Sequence, residues 1–240
     1  MRAAILFFLI ATALAVAAIE AAAYVALHRQ DFAWTRLDLD DPVGRATGRK
    51  LAALGGEARL CRALLADIGN AGLPVPPRRA SADCGYDDGM RLVPESERSI
   101  DFSPAGPVTS CPIAAALALW EREVVQPAAR EHFGQQVTAI NHAGSYSCRR
   151  LYGRPEGAFS EHATANAFDV LGFRLADGRS VSVLRDWSGE NPRSAFLRDV
   201  RDGACRLFAT VLSPDYNAAH ADHLHLDQAR RGAGGWRICR

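Results

Sequence analysis

The sequence predicts an α+β fold: a single domain with a small, mainly antiparallel sheet and helices packed on it, preceded by a hydrophobic N-terminal helix. Three observations carry that class. Apolar residues recur at helical spacing in two stretches, around 111–124 and 193–212. Short runs rich in β-branched and aromatic residues lie between and after them: "QQVTAI", "AFDVLGFRL", "SVSVLRDW" and "HLHLD". The first residues, "MRAAILFFLIATALAVAAIEAAAYVAL", are apolar on every helical face.

The N-terminal run places Arg2 ahead of an uncharged stretch from Ala3 to Ile19, and after Glu20 the apolar character resumes to Leu27. A spanning helix needs about 20 apolar residues, and the two pieces together reach that length. Residues 1–27 therefore read as a membrane anchor. Ala15-Val16-Ala17 also offers a small-residue cleavage site, the mark of a removable signal peptide. Either reading exports the remainder. Residues 28–58 read as a polar connector that leads into a first helix, and 59–240 as the folded domain.

Within that domain, 71–110 is rich in Pro, Gly, Ser and Asp and is expected to be irregular and disulfide-tied. Ser110 can cap a helix with Pro112 in its first turn, and Ile113, Leu117, Trp120 and Val124 form its stripe. "QQVTAI" follows as a strand. Asp177-Gly178 joins "AFDVLGFRL" to "SVSVLRDW" as a hairpin, with Asp186 and Trp187 packing at its end. A second amphipathic helix spans "RSAFLRDVRDGACRLFATVL", with Leu197, Val200, Ala204, Leu207 and Val211 on one face. "HLHLD" is a short final strand, expected to pair with "WRIC".

Composition excludes several function classes. A net charge of +1 and the lack of a Lys/Arg-rich run in the body give no footprint for nucleic acid. The 12 prolines form no repeat, so a fibrous chain is excluded too. Six cysteines without a C-x-x-C pair, in an exported chain, imply disulfides rather than zinc knuckles. The expected pairing is Cys61–Cys84, Cys111–Cys148 and Cys205–Cys239. The middle bridge is expected because Cys148 follows a strand returning beside the helix that Cys111 opens.

Three of the seven histidines, His220, His223 and His225, fall within six residues, among Asp222 and Asp227. Such a cluster is costly to bury unless paired or bound to a metal. Alternation on a strand sends His223 and His225 to one face. Upstream, His162 lies in a loop seven positions before Asp169, which starts a strand. Either cluster alone reads as a solvated surface. Together they match the donor types of a zinc centre that keeps a position open.

"SEHATANAFDV" is similar to the S-x-H-x-x-G-x-A-x-D motif of the D-alanyl-D-alanine peptidase and lysostaphin-type zinc peptidases, and "HADHLHLD" to the H-x-D-H-x-H segment of penicillin-insensitive murein endopeptidases. With "SCPIAAAL", "GSYSCRR" and "VLSPDYN", the chain from about Thr47 onward resembles the bacterial extensin-like C-terminal family. The resemblance implies zinc (Zn2+) held by His162, Asp169 and His225, with His223 as general base and Asp222 as the second choice. His220 would support the site without ligating. Arg149 would stabilise the tetrahedral intermediate or grip a substrate carboxylate, with Arg150 next in line. Tyr146 and Ser160 would contact the peptide or its surrounding loop. The implied partners are peptidoglycan stem peptides, with the inner membrane reached through the N-terminal helix and a periplasmic domain in the bacterial cell envelope. The implied activity is a murein endopeptidase. A D,D-carboxypeptidase is the runner-up, and a peptidoglycan-binding module that keeps the metal without turnover is the alternative of another class. One departure is Ala165 at the motif's glycine, strained if the position needs a positive φ.

Overall fold

The computed structural model describes residues 1–69, 72–93, 100–232 and 236–240, and its architecture is the mixed one the sequence predicts. Helix α1 (Arg2–Leu27) buries none of its residues, and its most apolar window has a mean hydropathy of 2.4, enough to cross a membrane by length and composition. Helices α2 (Thr47–Ala53) and α3 (Ala58–Asp67) follow. Six short strands come next: β1 (Leu73–Pro74), β2 (Arg78–Arg79), β3 (Gly85–Tyr86), β4 (Gly89–Arg91), β5 (Asp101–Ser103) and β6 (Val108–Ser110). Positions 71 and 94–99 of the expected irregular lead-in lie outside the described residues. Helix α4 (Cys111–Trp120) runs through a π turn at Glu121–Val125 into α5 (Gln126–Phe133). The site-bearing part comprises β7 (Val137–Gly144), β8 (Ala167–Leu175), β9 (Ser180–Ser182), α6 (Val183–Asp186), α7 (Pro192–Ala204), β10 (Thr210–Leu212), β11 (Leu224–Asp227) and β12 (Ile238–Cys239).

The main sheet has the order β12-β10-β11-β8-β7-β5, with β9 also on β8. All pairings are antiparallel except β5 with β7 and β10 with β12. Helix α4 is buried on every side because "CPIAAALALW" has no polar face, and its alanines let neighbours approach closely. The expected stripe is therefore only part of its buried surface, and Val124 falls in the π turn. Trp120, Phe173, Phe196 and Phe208 pack edge-on or tilted around its C-terminal end at 5.1–6.4 Å between centroids. Each buries enough apolar area to contribute about 1.5–3 kcal/mol. The Trp120 indole N–H donates to the Val200 carbonyl at 2.8 Å, so the polar edge is satisfied too.

Residues 28–58 are laid onto the domain rather than free of it. Leu39, Leu51 and Leu54 join its core. The Lys50 ammonium donates to the Arg29 carbonyl, Gln30 Oε1 and Thr35 Oγ1 at 2.8–3.1 Å. Burial holds Lys50 below the usual lysine range, with Asp41 opposing.

Several expectations are corrected. The disulfides are Cys61–Cys111, Cys84–Cys148 and Cys205–Cys239, so only the third pairing holds. The fold crosses the first four cysteines instead of joining sequence neighbours. Cys61 on α3 meets the start of α4, while Cys84 beside β3 meets the loop after β7. The final "HLHLD" strand pairs with β10 and β8, and it is β10 that "WRIC" joins, in parallel. The second helix stops at Ala204, so Leu207 lies beyond it and Val211 sits on β10, because residues 210–212 are captured by the sheet. Its start is firmly set: Asn191 and Ser194 form a capping box with Pro192 in the first turn. "SVSVLRDW" is a strand for three residues and then turns into α6. Ser110 precedes α4 as expected but bonds Asn166 Oδ1 instead of capping.

Candidate metal centre

Register alone builds half the centre. On β11, Leu224 and Leu226 face the core and stand opposite Val170 and Phe168 of β8, which leaves His225 directly opposite Asp169 on the other face. His225 Nδ1 lies 2.9 Å from Asp169 Oδ1. Asp169 is the third residue of β8 and almost completely buried.

The third member arrives on a loop. Ser160 begins a 3-10 turn, Glu161–Thr164, its hydroxyl accepting from the His162 amide. Ala165 closes the turn in the left-handed region, at φ 54°, so the strained conformation anticipated for this position is present. Its carbonyl is held by Ser110 N, Thr109 Oγ1 and Ser145 Oγ, which together fix the loop. His162 then points inward, with Nε2 3.2 Å from His225 Nδ1 and 3.1 Å from Asp169 Oδ2. One donor atom from each of His162, Asp169 and His225 lies within 4.8 Å of the others.

The outward nitrogens decide what the inward atoms carry. A carbonyl can only accept, so His162 donates Nδ1–H to the Ser145 carbonyl at 2.6 Å, and Nε2 turns inward as a lone pair. His225 Nε2 lies 3.2 Å from Asp227 Oδ2, again the outward position. With a neutral His162 ring, two imidazole nitrogens and a carboxylate converge with at most one proton among them, an arrangement short of positive charge. Backing each histidine by an oxygen acceptor is what metal-ligating imidazoles require, so the donor set fits a cation such as zinc.

The same geometry sets the ionisation of the metal-free cluster. Burial opposes a charge on His225, but hydrogen bonds to Asp169 and Asp227 outweigh it and push its pKa up to about 9. Burial likewise opposes charge on Asp169, yet its pairing with His162 and His225 holds its carboxyl well below the usual range.

Around this core stand the other expected residues. His223, just ahead of β11, has Nδ1 2.8 Å from Asp222 Oδ1 and Nε2 3.7 Å from Asp169 Oδ1. Asp222 itself is exposed to solvent. His220 packs against the His223 and His225 rings at 5.2 and 5.9 Å, and its Nδ1 bonds Asn217 Oδ1. Burial first, then the charges of His223 and His225, drive its pKa down to about 4. Arg149 also depresses it, which places that exposed guanidinium on the same side of the molecule. Arg150 instead lies over Phe159, 4.2 Å from the ring centroid. Tyr146 packs on the β2–β3 hairpin, edge-on to Tyr86 and under Arg78, with its hydroxyl buried and unpartnered among the described residues. Ser160 touches the loop backbone. Asp186 accepts from the Ser182 amide, and Trp187 donates to Asp215, both packing contacts as expected.

Sequence reasoning assigned no role to Ser145 or Asp227. Asp227 carried a signal, since it shares a strand face with His225. Ser145 carried none, because what stands behind His162 is its backbone carbonyl, which any residue has.

A family model described as the extensin-like protein C-terminus matches residues 59–240. The chain belongs to that family. No curated protein and no solved structure matches it. All residues of the centre lie inside the matched range, as do all six disulfide-bonded cysteines.

Proposed function

We propose that this extensin-like domain is a zinc-dependent peptidoglycan peptidase, a murein endopeptidase that cleaves stem-peptide cross-links. The observation that carries the reading is the buried convergence of His162 Nε2, Asp169 and His225 Nδ1, with Ser145 and Asp227 behind the two imidazoles. When bound there, zinc supplies Lewis acidity, which polarises a carbonyl and lowers a water's pKa to about 7.

The chain supplies the remainder. Asp222 holds His223 by Nδ1 and leaves Nε2 facing the centre, the orientation a general base needs to take a proton from an attacking water. Asp222, on the solvent side of that imidazole, orients it. Arg149, exposed and in no ion pair among the described residues, can bind a substrate carboxylate or a developing oxyanion. Stem peptides offer such carboxylates. Three disulfides fit an oxidising compartment, and α1 fits delivery to the bacterial envelope as an inner-membrane anchor or export signal.

The test combines metal analysis of the purified chain with digestion of purified sacculi and chromatography of the products. Stoichiometric zinc with conversion of cross-linked dimers to monomers is expected. Release of terminal D-alanine alone would reassign the activity to a carboxypeptidase. Bound zinc without any product would leave a binding module.

A further inference from the structure

A cavity that shares no lining residue with the metal centre lies between α2 and the residues flanking β12. It has a volume of about 240 Å³ and is lined by Gly48, Ala209, Trp236 and four arginines, Arg49, Arg230, Arg231 and Arg237. None of its lining residues is acidic, and none of the four arginines forms an ion pair among the described residues. Glu161 senses Arg231 only from a distance.

Three of the arginines are held in place by neutral partners. Arg237 donates one nitrogen to the Arg206 carbonyl at 2.8 Å, and its other terminal nitrogen is buried without a partner among the described residues. That nitrogen sits on Gly48, where an added Cβ would come within 1.4 Å of it, so only glycine leaves the guanidinium its place. Arg231 bonds Thr210 Oγ1 and the Ala209 carbonyl and lies 5.0 Å from the exposed Trp236 ring. Arg230 bonds the Gly55 carbonyl. Like charges gathered without counter-charge destabilise one another, and burial together with Arg49 holds Arg237 below the usual arginine range. An anion with several acceptor oxygens is the chemistry this arrangement lacks.

Position argues for the source. Lys50 on α2 bonds Arg29 and Gln30, and Ala46 donates to the Gln30 carbonyl, so α2 is tied to the chain two to three residues beyond α1. A seven-residue helix is about 10 Å long. The arginine cavity therefore opens close to the point where an apolar helix would leave a bilayer.

We infer that the cavity of Arg49, Arg230, Arg231 and Arg237 binds the phosphate of an anionic lipid headgroup and seats the domain on the membrane surface. This rests on α1 being retained as an anchor, and is independent of the zinc chemistry. The full chain is reconstituted in nanodiscs of neutral phosphatidylcholine, or of the same lipid with roughly a third phosphatidylglycerol, and amide exchange is followed across α2 and residues 229–232. Exchange there slows about fivefold in the anionic discs, the preference of one arginine for such a surface. The double variant Arg49→Gln, Arg230→Gln removes two exposed guanidiniums whose loss breaks one backbone hydrogen bond, and it abolishes the slowing. Equal exchange in both discs overturns the inference. So does slowing by inorganic phosphate in neutral discs without slowing by anionic lipid, which would assign the cavity to a soluble anion. Recovery of a shortened chain lacking residues 1–17 or thereabouts in the soluble fraction would show instead that the anchor reading failed.

Discussion

At the residue scale, the proposed function separates groups that would hold a cation from groups that would use it. His162→Ala removes one inward lone pair, and metal analysis should show stoichiometric zinc lost while the far-ultraviolet circular dichroism stays that of the folded chain. Full zinc in that variant would remove the assignment. His223→Ala should keep its zinc and lose cleavage by about 10²- to 10⁴-fold, the usual cost of a general base. Asp222→Asn keeps the ring contact in weaker form and should retain a measurable fraction; the reverse pattern would exchange the two roles. The raised pKa of His225 has a signed consequence. In the metal-free chain His225 carries a proton below about 9, and zinc must displace it. Zinc affinity should therefore rise about tenfold per pH unit from roughly 6 to 9 and then level off, as read by competition with a chelator. A flat profile would show that no proton leaves. For stability without metal, the His225 pairing is fully present below an unfolded pKa of 6.5 and is lost as pH rises through about 9. The Asp169 pairing is present above 3.8 and is lost as pH falls.

At the element scale, the turn from Ser160 to Ala165 brings His162 to the two strands, and it does so with an alanine at φ 54°. A non-glycine residue in the left-handed region costs about 1–2 kcal/mol. Ala165→Gly relieves that, but it also removes a fully buried methyl worth about 0.8 kcal/mol and adds unfolded-chain freedom worth a similar amount. Denaturant titration should thus place Ala165→Gly close to the parent, while Ala165→Val, β-branched and larger, should lose more than about 2 kcal/mol. A valine variant as stable as the parent would mean the turn is not held as described. This turn was legible as a motif. The strand face was legible as well, because alternation sends His223, His225 and Asp227 one way. The pairing of β11 was not: contact with β8 depends on residues more than 50 positions away, which no local pattern records. The end of α7 was missed for the same reason, since the apolar spacing continues past Ala204 while the sheet claims Thr210–Leu212.

At the scale of the whole molecule, fold class was readable because local propensity and hydrophobic period agree with the final architecture along most of the chain. What composition concealed was how much of 28–58 belongs to the packed body. Its polar residues include Lys50, which is buried because carbonyls and an amide from the preceding loop converge on its ammonium. Cys84–Cys148 connects the hairpin under Tyr146 to the residue before Arg149. Cys148→Ser opens a loop of 64 residues, worth about 4 kcal/mol on the chain-entropy estimate. It also frees Arg149 to wander, and small misplacements at a site cost about 10²-fold in rate. Turnover measured well below the melting temperature should therefore fall more than stability alone accounts for. Parent-like turnover there would separate Arg149 from the bridge.

The first two bridges interlock along the chain, Cys61 with Cys111 and Cys84 with Cys148, so each closes across an end of the other. A polypeptide threaded outward from its N-terminus presents Cys61 and Cys84 to an oxidase before either true partner has emerged. Oxidation at first encounter joins those two and leaves Cys111 to wait for Cys148. Reaching the native pattern then takes thiol–disulfide exchange, through attack by a free thiolate on the early bond. By that route the chain needs shuffling enzymes and not oxidases alone. In cells lacking disulfide isomerase activity, non-reducing peptide maps should show Cys61 joined to Cys84, and the yield of active protein should drop. A native map at full yield in such cells would mean that folding keeps the early pair apart until Cys111 and Cys148 arrive.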